Sequence, residues 1–466
     1  MTRISTILHS VDDHFDGHLD RIREFVRQPS ISASGEGIQE TAELCRTFVE
    51  GLGGEVRVVP TGGHPVVHGQ VQEGADRTLL IYSMYDVQPV ADEEGLWSVP
   101  PFRGQVTDLP EGKSLVARGV YNTKGPLRAF FNVCEEIKAL EEAFPLNLVF
   151  VIEGEEELGS PHLPGFVETH FEELSEADAM YFPMPQESVP GRPNLLLGVK
   201  GIVYVDLEAR GGAWGGPTEF GIHSSMASSV DSPLWRLVHF LSTLRDAEGR
   251  ILLEGFYEDL RQPTSEEQEM AEEIAMTGYE EEWRRGMKIE RFVEGATGKE
   301  LISRYLFEPS LNIDGLTSGF TLEGTKTVLP HSATVKLDFR LLPDMSPEKV
   351  VGQLRRHIEE EGATDLLETT VHDKYPWSQS PTTSDVVKAK ARALEGLGMK
   401  PLLWPRIAGS APFYLFNRPP LDLPYVAGGA GKAGRAHSPN EYFTLEGIKR
   451  FEKGVASFLY HYAGIE

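Results

Sequence analysis

Cysteine is almost absent: Cys45 and Cys134 are the only two in 466 residues. Two thiols make no disulfide framework and no Cys-x-x-Cys occurs, so a reducing compartment is expected. Both fall in helix-like segments, "ETAELCRTFVE" and "FFNVCEEIKAL", where a small thiol reads as core filling. Long apolar runs are missing too. Nothing approaches the roughly 18 apolar residues of a membrane span. The opening "MTRISTILHSVDDHFDGHLD" meets aspartate before any signal-like apolar core forms. Positive charge is scarce, with 44 Lys and Arg against 71 Asp and Glu and a net charge of -27. Such a surface repels phosphates, so neither nucleic acid nor an anionic membrane is expected as a partner. A cytoplasmic protein is the expectation.

What is present describes an ordinary globular chain, 40% hydrophobic and 25% charged, and long enough for two domains. Helical spacing runs from Asp16 to about Val26 and again from Gln39 to Leu52, where Gly53-Gly54 stops it. β-rich runs follow: "EVRVV", "PVVHGQV" and "TLLIYS". A helix through "PLRAFFNVCEEIKALEE" leads to "LNLVFVIEG", an almost wholly apolar strand of the kind covered on both faces. Alternating helices and buried strands predict an α/β domain.

Near residue 196 the texture changes to half-exposed strands, as in "LLLGVKGIVYVDLEARGG" and "ATVKLDFRLLP", with helices at Pro233 to about Leu244 and "SPEKVVGQLRRHIEEEG". With "LLETTVHD" this makes a β-α-β-β-α-β-like set, interrupted by an acidic helical excursion around 264 to 290. The Glu-rich "SEEQEMAEEIAM" reads as a solvated helix face. The predicted layout is a larger domain of residues 1–195 plus 379–466, with a smaller one, 196–378, inserted.

Four segments at strand ends or loops of the larger domain carry unusual polar groups: "SMYDVQP", "ARGVYNTKG", "VIEGEEELGS" and "GRAHSPNE". The third is the most telling. Glu155, Glu156 and Glu157 follow a buried strand, and crowded carboxylates repel unless a cation, a donor or a shared proton relieves them. At the C-terminal end of such a strand they point to a site.

With these motifs in order, the chain resembles the M20 family of metallopeptidases, in particular its dipeptidase and carnosinase-like branch. The resemblance extends through "WSVPPF", "GFYEDL", "NIDGL", "KTVLP", "FRLLPD", "GSAP" and "HSPNE", nearly the whole length. It implies a catalytic α/β domain of zinc-exopeptidase type, with an inserted α+β, ferredoxin-like lid that often dimerises. It also implies two metal ions, usually zinc, and hydrolysis of peptide or amide bonds in small substrates carrying a free carboxylate.

Carried over residue by residue, the resemblance makes Glu156 the general base and Glu157 and His437 metal ligands. His223 would stabilise the oxyanion, often across a dimer. Arg340, Asn312, Gly409 and Ser410 would line the substrate pocket, with Arg406 just before that pair. Three ligand positions depart from the pattern. Met84 stands where the family has histidine, two residues before the retained Asp86; Asn122 replaces the bridging aspartate; Met184 replaces an acidic ligand. Thioethers suit soft ions such as Cu(I) or simply fill apolar gaps, and a neutral amide cannot bridge two cations as a carboxylate does. The expectation is therefore no normal dinuclear zinc centre. Either no metal binds, or a single divalent ion (zinc or manganese) sits at Asn122, Glu157 and His437.

Without metals, Glu156 beside its neighbours should hold its proton more tightly than usual. Two readings stay open. One is an enzyme using Glu156 as acid and base, by slow amide hydrolysis or by acyl transfer, elimination or isomerisation. The other is a non-catalytic binding or scaffolding protein on the same fold. A homodimer through the lid is expected by resemblance.

Overall fold

The computed structural model describes residues 2–90, 95–141 and 143–465. Its core is an eight-stranded sheet in the spatial order Glu55–Val59, Val66–Val71, Asn147–Glu153, Thr78–Met84, Ala179–Phe182, Tyr425–Gly429, Asn194–Leu196, Leu402–Trp404. The central strand Thr78–Met84 runs parallel to both of its neighbours. It and Asn147–Glu153 are buried at every position, as expected of strands covered on both faces.

Alternate residues serve the two layers. Leu79 and Ile81 share a cluster with Phe25, Ala42, Phe131 and Phe458, whereas Leu80 and Tyr82 face Phe166, Ile274, Ile302 and Phe416. The helices obey the same arithmetic. In Ile38–Gly51 the buried side chains are Ile38, Thr41, Ala42, Cys45 and Val49, one stripe at 3.6-residue spacing. That helix ends where Gly53 takes a φ of 78°, its N–H bonded to the Glu50 carbonyl.

A second sheet is antiparallel, in the order Ser310–Ser318, Ser332–Leu341, Gly201–Arg210, Leu367–Tyr375. Helices Pro233–Leu241 and Pro347–Glu360 contribute to its core cluster, and the β-α-β-β-α-β order is ferredoxin-like. Strand Gly201–Arg210 alternates buried and half-buried, placing Val203, Val205, Leu207 and Ala209 in this core.

The acidic excursion departs from the sequence reading. It forms three helices, Ser265–Ala275, Tyr279–Met287 and Gly298–Phe307. Ala271, Ile274, Tyr279, Ile302 and Leu306 pack into the second cluster of the eight-stranded sheet, although their segment lies inside the expected insert 196–378. In "SEEQEMAEEIAM", Glu267, Met270, Ala271 and Ile274 are buried and the rest half-buried or exposed, with Glu267 2% exposed. Charge density alone could not reveal this, because Met270, Ala271 and Ile274 supply an apolar stripe among the glutamates.

Candidate functional site

The sheet brings two strand ends together. Met84 lies in register with Glu153, and Tyr85 N–H continues the ladder to the Glu153 carbonyl at 2.8 Å. Beyond them, "EGEEELG" folds into a short 3-10 turn, Glu156–Leu158, closed by Gly159 at a φ of 85°. Asp86 is fully buried and accepts the Glu156 N–H at 3.3 Å and the Glu157 N–H at 3.0 Å. It holds the turn as an N-cap would. Burial first, then the Glu157 charge, push its carboxyl up to about 7.

Glu156 is held well above the ordinary carboxylate range, first by burial and then by Glu157, Asp86 and Glu153. Glu153 is buried beneath, accepting from Tyr82 Oη at 2.5 Å and Ser160 Oγ at 2.9 Å. Burial pushes it up to about 8, against the Tyr82 hydrogen bond. Glu155 turns away to His162, 2.8 Å off.

Asn122, Glu157 and His437, from three separate loops, meet directly. Asn122 Nδ2 donates to Glu157 Oε1 at 2.8 Å, and His437 Nε2 lies 3.1 Å from Glu157 Oε2. Asn122 Nδ2 is also 2.9 Å from His437 Nε2. One ring nitrogen cannot both donate to Glu157 and accept from Asn122. The Glu157 hydrogen bond, against burial, raises the His437 pKa, and the Asn122 amide serves Glu157 as well. Gln88 Nε2 completes the shell, donating to Glu157 Oε2 at 2.8 Å.

The Asn122 loop is itself pinned. Buried Glu441 accepts from Arg118 Nη1 at 3.0 Å and from the N–H groups of Gly119, Tyr121 and Asn122 at 3.1, 2.9 and 2.8 Å. Thr123 Oγ1 donates to the Met84 carbonyl at 3.0 Å. Met184 follows the neighbouring strand Ala179–Phe182; Gln186, two residues on, donates to Tyr121 Oη at 2.7 Å.

From the antiparallel sheet, Arg340 bridges to the larger body. Its Nη1 donates to Ser410 Oγ at 3.0 Å and its Nε to Asp338 at 2.7 Å. The Gly409 carbonyl beside Ser410 accepts from Lys200 N–H at 3.1 Å. Tyr375 Oη donates to the Gly159 carbonyl, tying the strand Leu367–Tyr375 to the loop after Glu156.

Three expected site residues lie elsewhere. Asn312 is exposed on the edge strand Ser310–Ser318 and donates to Asp314 at 2.7 Å. His223 is exposed, its ring between Ser225 Oγ at 2.9 Å and Thr327 Oγ1 at 3.1 Å. Arg406, expected beside the pocket, is corrected by its burial. It is 2% exposed and spends its guanidinium on Glu267, Gln379 and the Leu306 carbonyl, leaving no fork for a ligand.

Sequence reasoning missed Gln88, Glu441, Tyr375 and Lys200. Gln88 and Glu441 stood inside quoted motifs, "YDVQP" and "HSPNE"; Tyr375 and Lys200 gave no local signal.

The pattern of Peptidase family M20/M25/M40 matches residues 80–461, and the chain belongs to this family. It is 29% identical over 402 residues to the Cys-Gly metallodipeptidase DUG1 of Saccharomyces cerevisiae, covering 83% of this chain and 79% of that one. It is 27% identical over 424 residues to the Beta-Ala-His dipeptidase of Mus musculus, covering 85% and 83%. The crystal structure of the M20 family metallo-carboxypeptidase Sso-CP2 from Sulfolobus solfataricus superposes with a TM-score of 0.88 at 34% identity, covering 96% and 99%. The chain is thus close to the Beta-Ala-His and Cys-Gly dipeptidase branch of the family, which supports a hydrolase.

Proposed function

We propose that the protein acts on a small amide or peptide-like substrate with a free carboxylate, with Glu156 as the group that moves the proton. The observation that carries this reading is the turn Glu156–Leu158, held by Asp86 at the strand ends, in a chain of the M20 family. As carboxylate, Glu156 takes a proton from the attacking nucleophile; as acid, it returns one to the leaving nitrogen. The Arg340 guanidinium, already turned to Ser410, suits a substrate carboxylate.

The donor set does not fit a dinuclear zinc centre. Met84 and Met184 offer thioethers and Asn122 offers a neutral amide, where a dinuclear zinc centre needs imidazole or carboxylate. The reaction is therefore read as metal-free, or as assisted by one weakly held divalent ion at Asn122, Glu157 and His437. Amide hydrolysis without that electrostatic help favours an activated substrate, or acyl transfer, elimination or isomerisation on the same scaffold. Burial and neighbouring charge raise the Glu156 carboxyl well above its ordinary range, so turnover that needs its base form rises with pH.

We read the protein as a homodimer through the smaller sheet, in which the exposed His223 and Asn312 are turned to the partner copy. The exposed Ile313 and Leu316 on the edge strand Ser310–Ser318, and Trp235 and Val238 on helix Pro233–Leu241, suit that contact. We read the domains as divided near 196 and 378, with 265–307 returned to the larger body. We read the location as cytoplasmic from the scarcity of cysteine; among the described residues no helix is long and apolar enough to cross a membrane.

The test is turnover of a panel of dipeptides and N-acyl amino acids, with elemental analysis and with zinc or manganese added. Less than about 0.2 ion per chain, and no response to added metal, would sink the single-metal form. A Glu156→Gln variant with unchanged turnover would sink Glu156 as the proton carrier, leaving the binding or scaffolding reading.

A further inference from the structure

Of the three successive glutamates, Glu155 has no part in the proposed chemistry, yet it is buried. Its Oε2 lies 2.8 Å from Nδ1 of the part-exposed His162, seven residues on. Its carbonyl accepts the Leu158 and Ser160 N–H groups at 3.0 and 2.8 Å. The segment 155–162 is thus closed twice, by backbone and by side chain, with Glu156 and Glu157 inside the closed loop.

A second loop, "PTGGHP" at 60–65, covers the pair. A Cβ on Gly62 would stand 2.6 Å from His162 Nε2; one on Gly63 would overlap Glu155 Oε1 and stand 2.8 Å from His162 Nδ1. Neither glycine has a positive φ, so close approach, not a turn conformation, is what glycine serves here. The loop is firm. Thr61 Oγ1 donates to the His64 carbonyl at 2.7 Å and accepts the Gly63 N–H at 3.0 Å. His64 Nε2 lies 2.8 Å from the Ser32 carbonyl, and Tyr85 Oη donates to the Pro65 carbonyl at 2.7 Å.

We propose that His162 is a positioning residue for Glu156, acting through its bond to Glu155 against the Gly62-Gly63 wall. This rests on Glu156 as the proton carrier. The two N–H bonds to Asp86 fix where the turn Glu156–Leu158 sits. The Glu155–His162 bond adds a second tether, and two tethers fix how the turn is rotated. A reacting group displaced by about 1 Å can lose about 10²-fold in rate. Outside the pair lies a cavity of about 420 Å³, lined by Thr61, Gly62, Pro161, His162, Phe166 and His170, so a small molecule can reach the place of the imidazole.

The test uses the dipeptide or N-acyl amino acid that the unaltered protein turns over fastest. His162→Ala should lower kcat about 10–100-fold with KM held within about twofold. Added imidazole should recover part of that loss and leave the unaltered protein unchanged. His162→Asn, whose amide nitrogen takes the place of Nδ1, should restore most of kcat. Gly63→Ala should lower kcat in the same way, because its methyl displaces the Glu155 carboxyl. A kcat within about twofold of the unaltered protein in both His162→Ala and Gly63→Ala overturns the proposal, as does a loss that neither imidazole nor Asn repairs. Amide exchange reads the same tether with no substrate. In His162→Ala, residues 156–160 should exchange at least about tenfold faster while Thr78–Met84 keeps its protection, and unchanged exchange at 156–160 overturns the proposal. Unchanged turnover in Glu156→Gln would instead sink the proposed function, and exchange would still decide the tether.

Discussion

Glu156 and Glu267 are glutamates of one chain, both in Glu-Glu-rich motifs, and they meet opposite fates. Around Glu156 stand Glu157, Asp86 and Glu153, and burial with these like charges drives its pKa up. Burial pushes Glu267 up as well, but the Arg261 fork and the Arg406 charge outweigh it and hold the carboxyl at about 2. The first arrangement favours the protonated form; the second favours the carboxylate, which serves as a structural anion. Crowding like charges costs stability and creates chemistry, whereas pairing opposite charges does neither unless the pair is broken.

The comparison can be broken from either side. The largest effect expected is in turnover: Glu156→Gln should lower it by about 10²–10⁴-fold while leaving the fold intact, since it relieves repulsion. Urea unfolding and steady-state kinetics on the same sample check both halves. Next, Glu267→Ala should cost about 3–5 kcal/mol, because it leaves Arg406 buried without its partner. A loss below about 1 kcal/mol in urea melts would mean that Arg406 finds water or another acceptor.

The pH dependence follows from the same pair. Asp86 has a folded pKa of about 7, above its ordinary 3.8, so the folded state binds the extra proton and stability falls as pH rises from about 4 to 7. Glu267 lies below its ordinary 4.5, so its contribution is present above that pH and is lost as pH falls toward 2. Denaturant midpoints from pH 3 to 8, compared with Asp86→Asn, should show the fall between about 4 and 7 flattened in the variant. The smallest effect is local. Thr264 caps the Glu267 helix, its Oγ1 accepting the Glu267 N–H at 3.2 Å, and Thr264→Ala should cost about 1 kcal/mol in the same melts.

The alternation of apolar strands with helical stripes was legible because local periodicity and burial share one cause, the need to hide a face. Glu156, Glu157 and His437, with Met84, Asn122 and Met184, could be singled out as expectations because they lie in short motifs. Glu441 and Gln88 stood in those motifs unread, since their work is to hold loops that are distant in sequence: Glu441 gathers four donors from residues 118–122. Arg406 was misread for the same reason. Its partner Glu267 is 139 residues away, and nothing in "WPRIAGS" announces a buried anion.

The sequence alone determined the family, the strands Glu55–Val59, Val66–Val71, Thr78–Met84 and Asn147–Glu153 of the larger sheet, and the chemical identity of each group at the strand ends, because these are properties of residues and their immediate spacing. Only the tertiary structure decided which carboxylates crowd together and which meet a guanidinium, and that the acidic excursion packs on the larger sheet. A charge acquires its pKa and its role from neighbours a few ångströms away, and those neighbours come from anywhere in the chain.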